Sequence, residues 1–181
     1  MTRSAIVITM ALAATGVLFP ERGPLQARFV WNASASAPIG LYRIDNAAKF
    51  AVGDLVAVQP PGSLATFLAE REYLPKGVLL LKRILAVSGQ MVCRRKLTIS
   101  VDGRDVGVAL ERDRAGRDLP SWQGCQRVPA TAVFLMNQRV RDSLDGRYFG
   151  LVAADHILGL AAPLWTDEQG DGHFQWRAQA R

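Results

Sequence analysis

Apolar and polar positions divide this chain into two unlike parts. From Ala5 to Phe19 every residue is apolar except Thr9, Thr15 and Gly16, and Pro20-Glu21-Arg22 ends the run. Beyond it the apolar stretches are short, of strand length, and separated by turn residues. Phe29-Val30-Trp31 and Gly40-Leu41-Tyr42-Arg43-Ile44 read as strands, and Asp54 to Gln59 alternates until Pro60-Pro61-Gly62 stops it. Residues 63–72 suit a short helix capped by Ser63. Pro75-Lys76-Gly77 then turns the chain into the long apolar run from Val78 to Val87. Gln90–Arg94 and Leu97–Val101 suit a hairpin, and Asp102-Gly103 has the composition of a tight reversal. Ala132–Met136 reads as a buried strand, Asn137–Gly150 as polar and turn-rich, and Ile157–Ala162 as the last strand of the sheet region, with little pattern from Thr166 onward. Between Ala109 and Gln126 the pattern dissolves into charge, Gly and Pro, as expected of a mobile surface insertion. The expected fold is mainly β, a coiled sheet or barrel-like arrangement in residues 23–181, carrying that insertion at 109–126.

The first run is shorter than the roughly 20 residues of a spanning helix and about as long as the longest secretory apolar segments. Arg3 precedes it, and no small-residue cleavage site follows it directly. The reading is an uncleaved signal-anchor over residues 1–22, with the bulk of the chain exported across the cytoplasmic membrane into the periplasm. A buried core helix is the alternative. The formal net charge of +6 comes from arginines spread along the chain, without an aromatic-rich platform. That argues against a nucleic-acid partner and suits an anionic membrane surface better. Cys93 and Cys125 are the only cysteines; in an exported domain they would pair, and in a cytosolic one they would be two buried thiols. Neither histidine lies near them, so neither a metal nor another cofactor is expected.

Two stretches carry candidate chemistry. Ser34-Ala35-Ser36-Ala37-Pro38 places two hydroxyls at alternate positions, and Pro38 holds the segment out of helix. On an extended segment both would face one site. Lys82 sits in the apolar run, where desolvation would lower its pKa and leave a neutral amine able to take a serine proton. Arg83 would point to the opposite face of the strand, towards water or a carboxylate. Blander readings stand beside these. Lys82 could snorkel from a strand edge, and Ser36 could merely bond the local backbone before the proline. Ala35 and Ala37 also read as a small-x-small processing site.

The order and spacing of four segments add to this. Ser34 with Ser36-Ala37-Pro38, then Leu81-Lys82-Arg83-Ile84 followed by Ser88-Gly89-Gln90-Met91-Val92, then Asn137-Gln138-Arg139, then Ser143 to Gly150 resemble the boxes of bacterial type I signal peptidases. The Ser-Ala-Pro-Ile-Gly-Leu-Tyr version is most similar to the TraF-type branch, encoded with conjugative transfer systems. The resemblance implies a β-rich, membrane-anchored Ser/Lys endopeptidase that matures a pilin precursor by cutting after small residues, with the new end hydrolysed or cyclised. It makes Ser36 the nucleophile, Lys82 the general base and Ser34 an oxyanion-side hydroxyl. Ser143 would bond the lysine amine, and Asp145 and Arg147 would form a supporting ion pair, unless they are a plain surface pair. Partners implied are the precursor, the cytoplasmic membrane and components of the conjugative secretion system. Ala37 directly after the serine, where general signal peptidases carry methionine, favours a dedicated substrate. Three rival readings are a self-cleaving repressor of the LexA type, a non-enzymatic periplasmic assembly component, and a Ser-His arrangement using His156. The repressor fits poorly with an exported N-terminus and the lack of a DNA-binding helix-turn-helix.

Overall fold

The computed structural model describes residues 28–177. Among them, twelve strands form two antiparallel sheets with little helix. The larger sheet runs β1 (Phe29–Asn32), β2 (Ile39–Asp45), β11 (Ile157–Asp167), β3 (Leu55–Val58), β4 (Leu80–Ala86), β9 (Ala132–Leu135) and β10 (Leu151–Ala153), with β12 (Gln175–Trp176) added to β11. The smaller runs β7 (Arg104–Val108), β6 (Thr98–Val101), β5 (Met91–Arg95) and β8 (Gly124–Arg127). No helix among the described residues is long and apolar enough to cross a membrane; the expected anchor over residues 1–22 lies outside them.

The centre of the larger sheet is buried on both faces, which is why β3 and β4 read as continuous apolar runs. Val56, Val58 and Ile84 pack with Leu135 and Val152 on one side. Ala57 and Leu81 pack with Ala37, Tyr42 and Ala161 on the other. A third cluster, containing Ala86, Val92, Ile99, Phe134 and Met136, joins the two sheets. Through Ala37 the serine segment is bound into the same apolar cluster as the strand that carries Lys82.

Several sequence expectations change in detail. The helix α1 (Gly62–Glu70) starts after Pro61 with no side-chain cap, so Ser63 lies in its first turn. β11 continues five residues past Ala162 because β2 pairs with it as far as Asp167. Gly40, at φ 145°, packs so closely under β11 that a Cβ would collide with the Trp165 carbonyl. The Asp102-Gly103 reversal is present, with φ of 48° and 78°, both in the left-handed region that a two-residue hairpin turn requires.

The insertion ends earlier than its composition suggests. Residues 124–127 form β8, which pairs with β5 so that Cys125 lies opposite Cys93, and the two form a disulfide. The preceding loop folds onto the residues that follow α1. Asp113 accepts from the Tyr73 hydroxyl and pairs with Arg117 at 2.7 Å, Arg117 donates to the Arg71 carbonyl, and Arg71 donates to that of Asp118. Because β8 is exposed along its whole length, few contacts besides its ladder and the disulfide hold it. Cys93→Ser with Cys125→Ser is expected to cost about 2–4 kcal/mol in a denaturant titration.

Candidate active site

Lys82 is buried, with 3% of its surface exposed. Strand alternation sends it to the same side as Leu80, with Val58, Leu135, Leu144 and Phe149 completing an apolar crevice around it. Its Nζ lies 2.7 Å from the Ser143 Oγ, a buried hydrogen bond. Burial pushes the ammonium down from its usual 10.5 to about 8; the Asp145 charge partly opposes this, and the Arg147 charge adds to it. The amine therefore does not snorkel into water.

The loop that presents Ser143 is built on an ion pair. Asp145 caps the short helix α2 (Gly146–Phe149) by accepting from the Arg147 N–H. Its carboxylate also takes the Asn137 N–H at 3.1 Å and the Arg147 guanidinium at 2.9 Å. The two side chains are 0% and 2% exposed, which excludes a surface pair. The guanidinium further donates to the carbonyls of Val140, Arg141 and Ser143, closing the loop on itself. From outside, Arg94 and the Trp122 indole donate to the Arg147 and Gly146 carbonyls, and Leu110 N–H donates to the Tyr148 hydroxyl. The second sheet and the insertion thus hold the loop that holds the lysine.

Ser34 and Ser36 meet by a different route from the one their spacing suggests. Residues 34–37 form a turn, not an extended strand. The Ser36 N–H donates to the Ser34 hydroxyl at 3.2 Å, and the Ser34 hydroxyl donates to the Ser36 Oγ at 3.0 Å. Short hydroxyl side chains bond their own backbone readily, and here that preference outweighs extension. Ser36 and Lys82 are not hydrogen-bonded to each other: the serine hydroxyl is engaged by Ser34 and the amine by Ser143.

Asn137 joins the two halves. Its amide donates to the Ser36 carbonyl at 2.5 Å and to the Leu81 carbonyl at 3.2 Å, while its Oδ1 accepts the Arg83 N–H at 2.9 Å. One buried carboxamide therefore fixes the serine turn to the backbone on either side of Lys82. Sequence reasoning placed Asn137 in a box but gave it no role; a buried amide after an apolar strand was the available signal. Asn137→Ala leaves these groups unpaired, and it is expected to cost about 2–3 kcal/mol of stability. By loosening the serine turn it should also lower any turnover that depends on Ser36 by roughly ten- to a hundredfold. His156 ends a 3-10 turn whose carbonyl accepts from Gln59 N–H, and none of its hydrogen bonds among the described residues reaches Ser36.

Among the described residues no group of His, Cys, Asp and Glu is placed to hold a metal ion. What the arrangement offers instead is a dry amine, two mutually bonded hydroxyls and a groove beside the second of them, lined by Ser36, Ile39, Arg83, Asn137 and Arg139 among others, of about 690 Å³. The chain belongs to the family described as signal peptidase, peptidase S26, which matches residues 2–165. Among curated relatives it is 37% identical over 169 residues to a probable conjugal transfer protein TraF of Sinorhizobium fredii (strain NBRC 101917 / NGR234), covering 87% of this chain and 86% of that protein. It is 35% identical to a conjugal transfer protein TraF of Agrobacterium tumefaciens (strain 15955) and 30% identical to a plasmid transfer protein TraF of Escherichia coli, in each case over 75% of this chain and 81% of the relative.

Proposed function

We propose that this protein is a membrane-anchored serine endopeptidase that matures a pilin precursor for a conjugative transfer system. The observation that carries the reading is Lys82: a buried amine at a pKa of about 8, aimed by Ser143, on the strand that Asn137 ties to Ser36. Burying a lysine without a carboxylate bonded to it is unfavourable for folding, and a peptidase family gives that arrangement a use.

In the reaction the Ser36 hydroxyl exchanges its Ser34 partner for the neutral Lys82 amine. The Ser36 Oγ attacks the scissile carbonyl as its proton passes to Lys82 Nζ. The Ser34 hydroxyl and the Ser36 N–H, which bond each other at rest, become free to donate to the oxyanion. The C–N bond then breaks, the Lys82 ammonium gives its proton to the leaving amine, and an acyl-enzyme remains on Ser36. Attack by water, with Lys82 again the base, releases a linear product. Attack by the substrate's own amino terminus releases a ring.

Three points support the setting. The apolar run from Ala5 to Phe19 suits an anchor in the inner membrane, and the disulfide suits an oxidising compartment such as the periplasm. The relatives' names place them in conjugal or plasmid transfer. Incubating membranes that hold the full chain with a co-encoded pilin precursor, followed by intact-mass measurement, tests the whole reading. A shortened precursor is expected with the wild type and none with Ser36→Ala; a product lighter than the linear one by one water reports cyclisation. Processing that survives Ser36→Ala would return the chain to an assembly role.

A further inference from the structure

We propose that the groove beside Ser36 reads a carboxylate on the precursor, held between the guanidinium groups of Arg83 and Arg139. The inference rests on the peptidase reading above and names what its substrate must carry. The groove has a largely apolar floor, including Ile39, Leu55, Leu85 and Met136, and four charged side chains along its walls: Arg83, Arg139, Asp167 and Glu168. Formal charge balances, but the free valences do not.

Both acids are already engaged. The Asp167 carboxylate accepts the N–H groups of Gly170, Asp171 and Gly172 at 2.7, 3.2 and 2.9 Å, which hold it below the ordinary carboxylate range. Glu168 accepts the Thr166 hydroxyl at 2.9 Å and lies 3.8 Å from the Arg177 guanidinium. The arginines are not. Both are exposed, and among the described residues neither forms an ion pair. Arg83, which lines the groove, spends one guanidinium N–H on the Gly53 carbonyl at 2.9 Å, and its other guanidinium N–H groups have no hydrogen-bond partner among the described residues.

The unspent hydrogen-bonding capacity among the groove's charged groups is therefore that of the arginine donors, and the apolar residues beside them favour a charge-assisted bond relative to open water. A planar fork with several N–H groups unspent matches a carboxylate in geometry as well as charge. Arg83 is also close to the chemistry, because its backbone N–H and the Ser36 carbonyl bond the two ends of the Asn137 carboxamide. An extended peptide advances about 3.3 Å per residue, so the carboxylate belongs within roughly four residues of the cut. It is either an acidic side chain or the C-terminal carboxylate of a precursor cut near its end.

The test uses the full chain in detergent and ten-residue quenched peptides with alanines flanking a cut placed three residues from the C-terminus. Glutamate is placed at each other position in turn and compared with glutamine; the parent peptide is compared as free acid and as C-terminal amide. One glutamate position, or the free acid, is expected to raise kcat/KM about tenfold or more over its uncharged counterpart. That ratio should fall towards one in Arg83→Gln and in Arg139→Gln, and Arg139, on an exposed loop, supplies the answer should Arg83→Gln fold poorly. Discrimination below about twofold everywhere, or discrimination that survives in Arg139→Gln and any folded Arg83 variant, would overturn the proposal while leaving the peptidase intact. If wild type cleaves none of the peptides, the peptidase reading fails, and the inference with it.

Discussion

Replacing Lys82 by methionine is expected to abolish processing and, at neutral pH, to make the protein more stable. The first effect follows from the role proposed for the amine: if it is the base for the Ser36 hydroxyl, its removal should cost at least ~10⁴-fold in turnover. The second follows from burial. In the folded chain the ammonium has lost its water and gained one hydroxyl partner, Ser143, whereas a thioether of similar volume would lose nothing on entering the same crevice. A gain of roughly 1–3 kcal/mol, seen as a rise of several degrees in Tm, should accompany the loss of activity. The pH dependence has a definite sign. Because the folded-state pKa of about 8 lies below the usual 10.5, the unfolded chain binds more protons between these values. The penalty from Lys82 is therefore full below about pH 8 and is relieved as pH rises towards 10.5, so the advantage of Lys82→Met should shrink across that window. Ser36→Ala is the control: equally inactive, but within about 0.5 kcal/mol of wild type in stability, since the hydroxyl sits in a surface turn.

Arg147→Ala is expected to be the most damaging single substitution for the fold. It removes a guanidinium that bonds Asp145 and the carbonyls of Val140, Arg141 and Ser143, and it strands the Asp145 carboxylate in a site with no exposed surface. Breaking a buried pair in this way costs about 3–5 kcal/mol. Asp145→Ala should cost a similar amount, and the double variant clearly less than the sum, because each single change leaves the other charge unpaired. Denaturant titration of the three variants measures this coupling. A near-additive result would mean that the loop is held mainly from outside, by Arg94 and Trp122.

The ladder of strands could be read from the chain because apolar runs of four to seven residues are broken by Pro60-Pro61, Asp102-Gly103 and similar pairs, which act locally. Lys82 stood out because a lysine on the apolar face of a leucine-rich run has few uses. What could not be read lies in long-range contacts. β8 has four exposed residues and no apolar pattern, and it is a strand only because β5 and Cys93 lie opposite it. The extension of β11 to Asp167 depends on the β2 partner. In the site, the meeting of Ser34 and Ser36 was foreseen on the wrong geometry, since local hydroxyl-to-backbone bonding curls the segment into a turn. The bridging role of Asn137 spans 101 residues to Ser36 and left no periodic trace.

The central claim is that one neutral, desolvated amine at Lys82 serves as the base for Ser36. It is tested most directly by titrating that amine with ¹³C NMR, using Lys82 labelled at Cε, beside the pH profile of kcat/KM for the same preparation. Both should show a single midpoint near pH 8, with the rate falling about tenfold per pH unit below it. An amine that titrates near its ordinary 10.5, or a rate limb that does not move with it, would contradict the account.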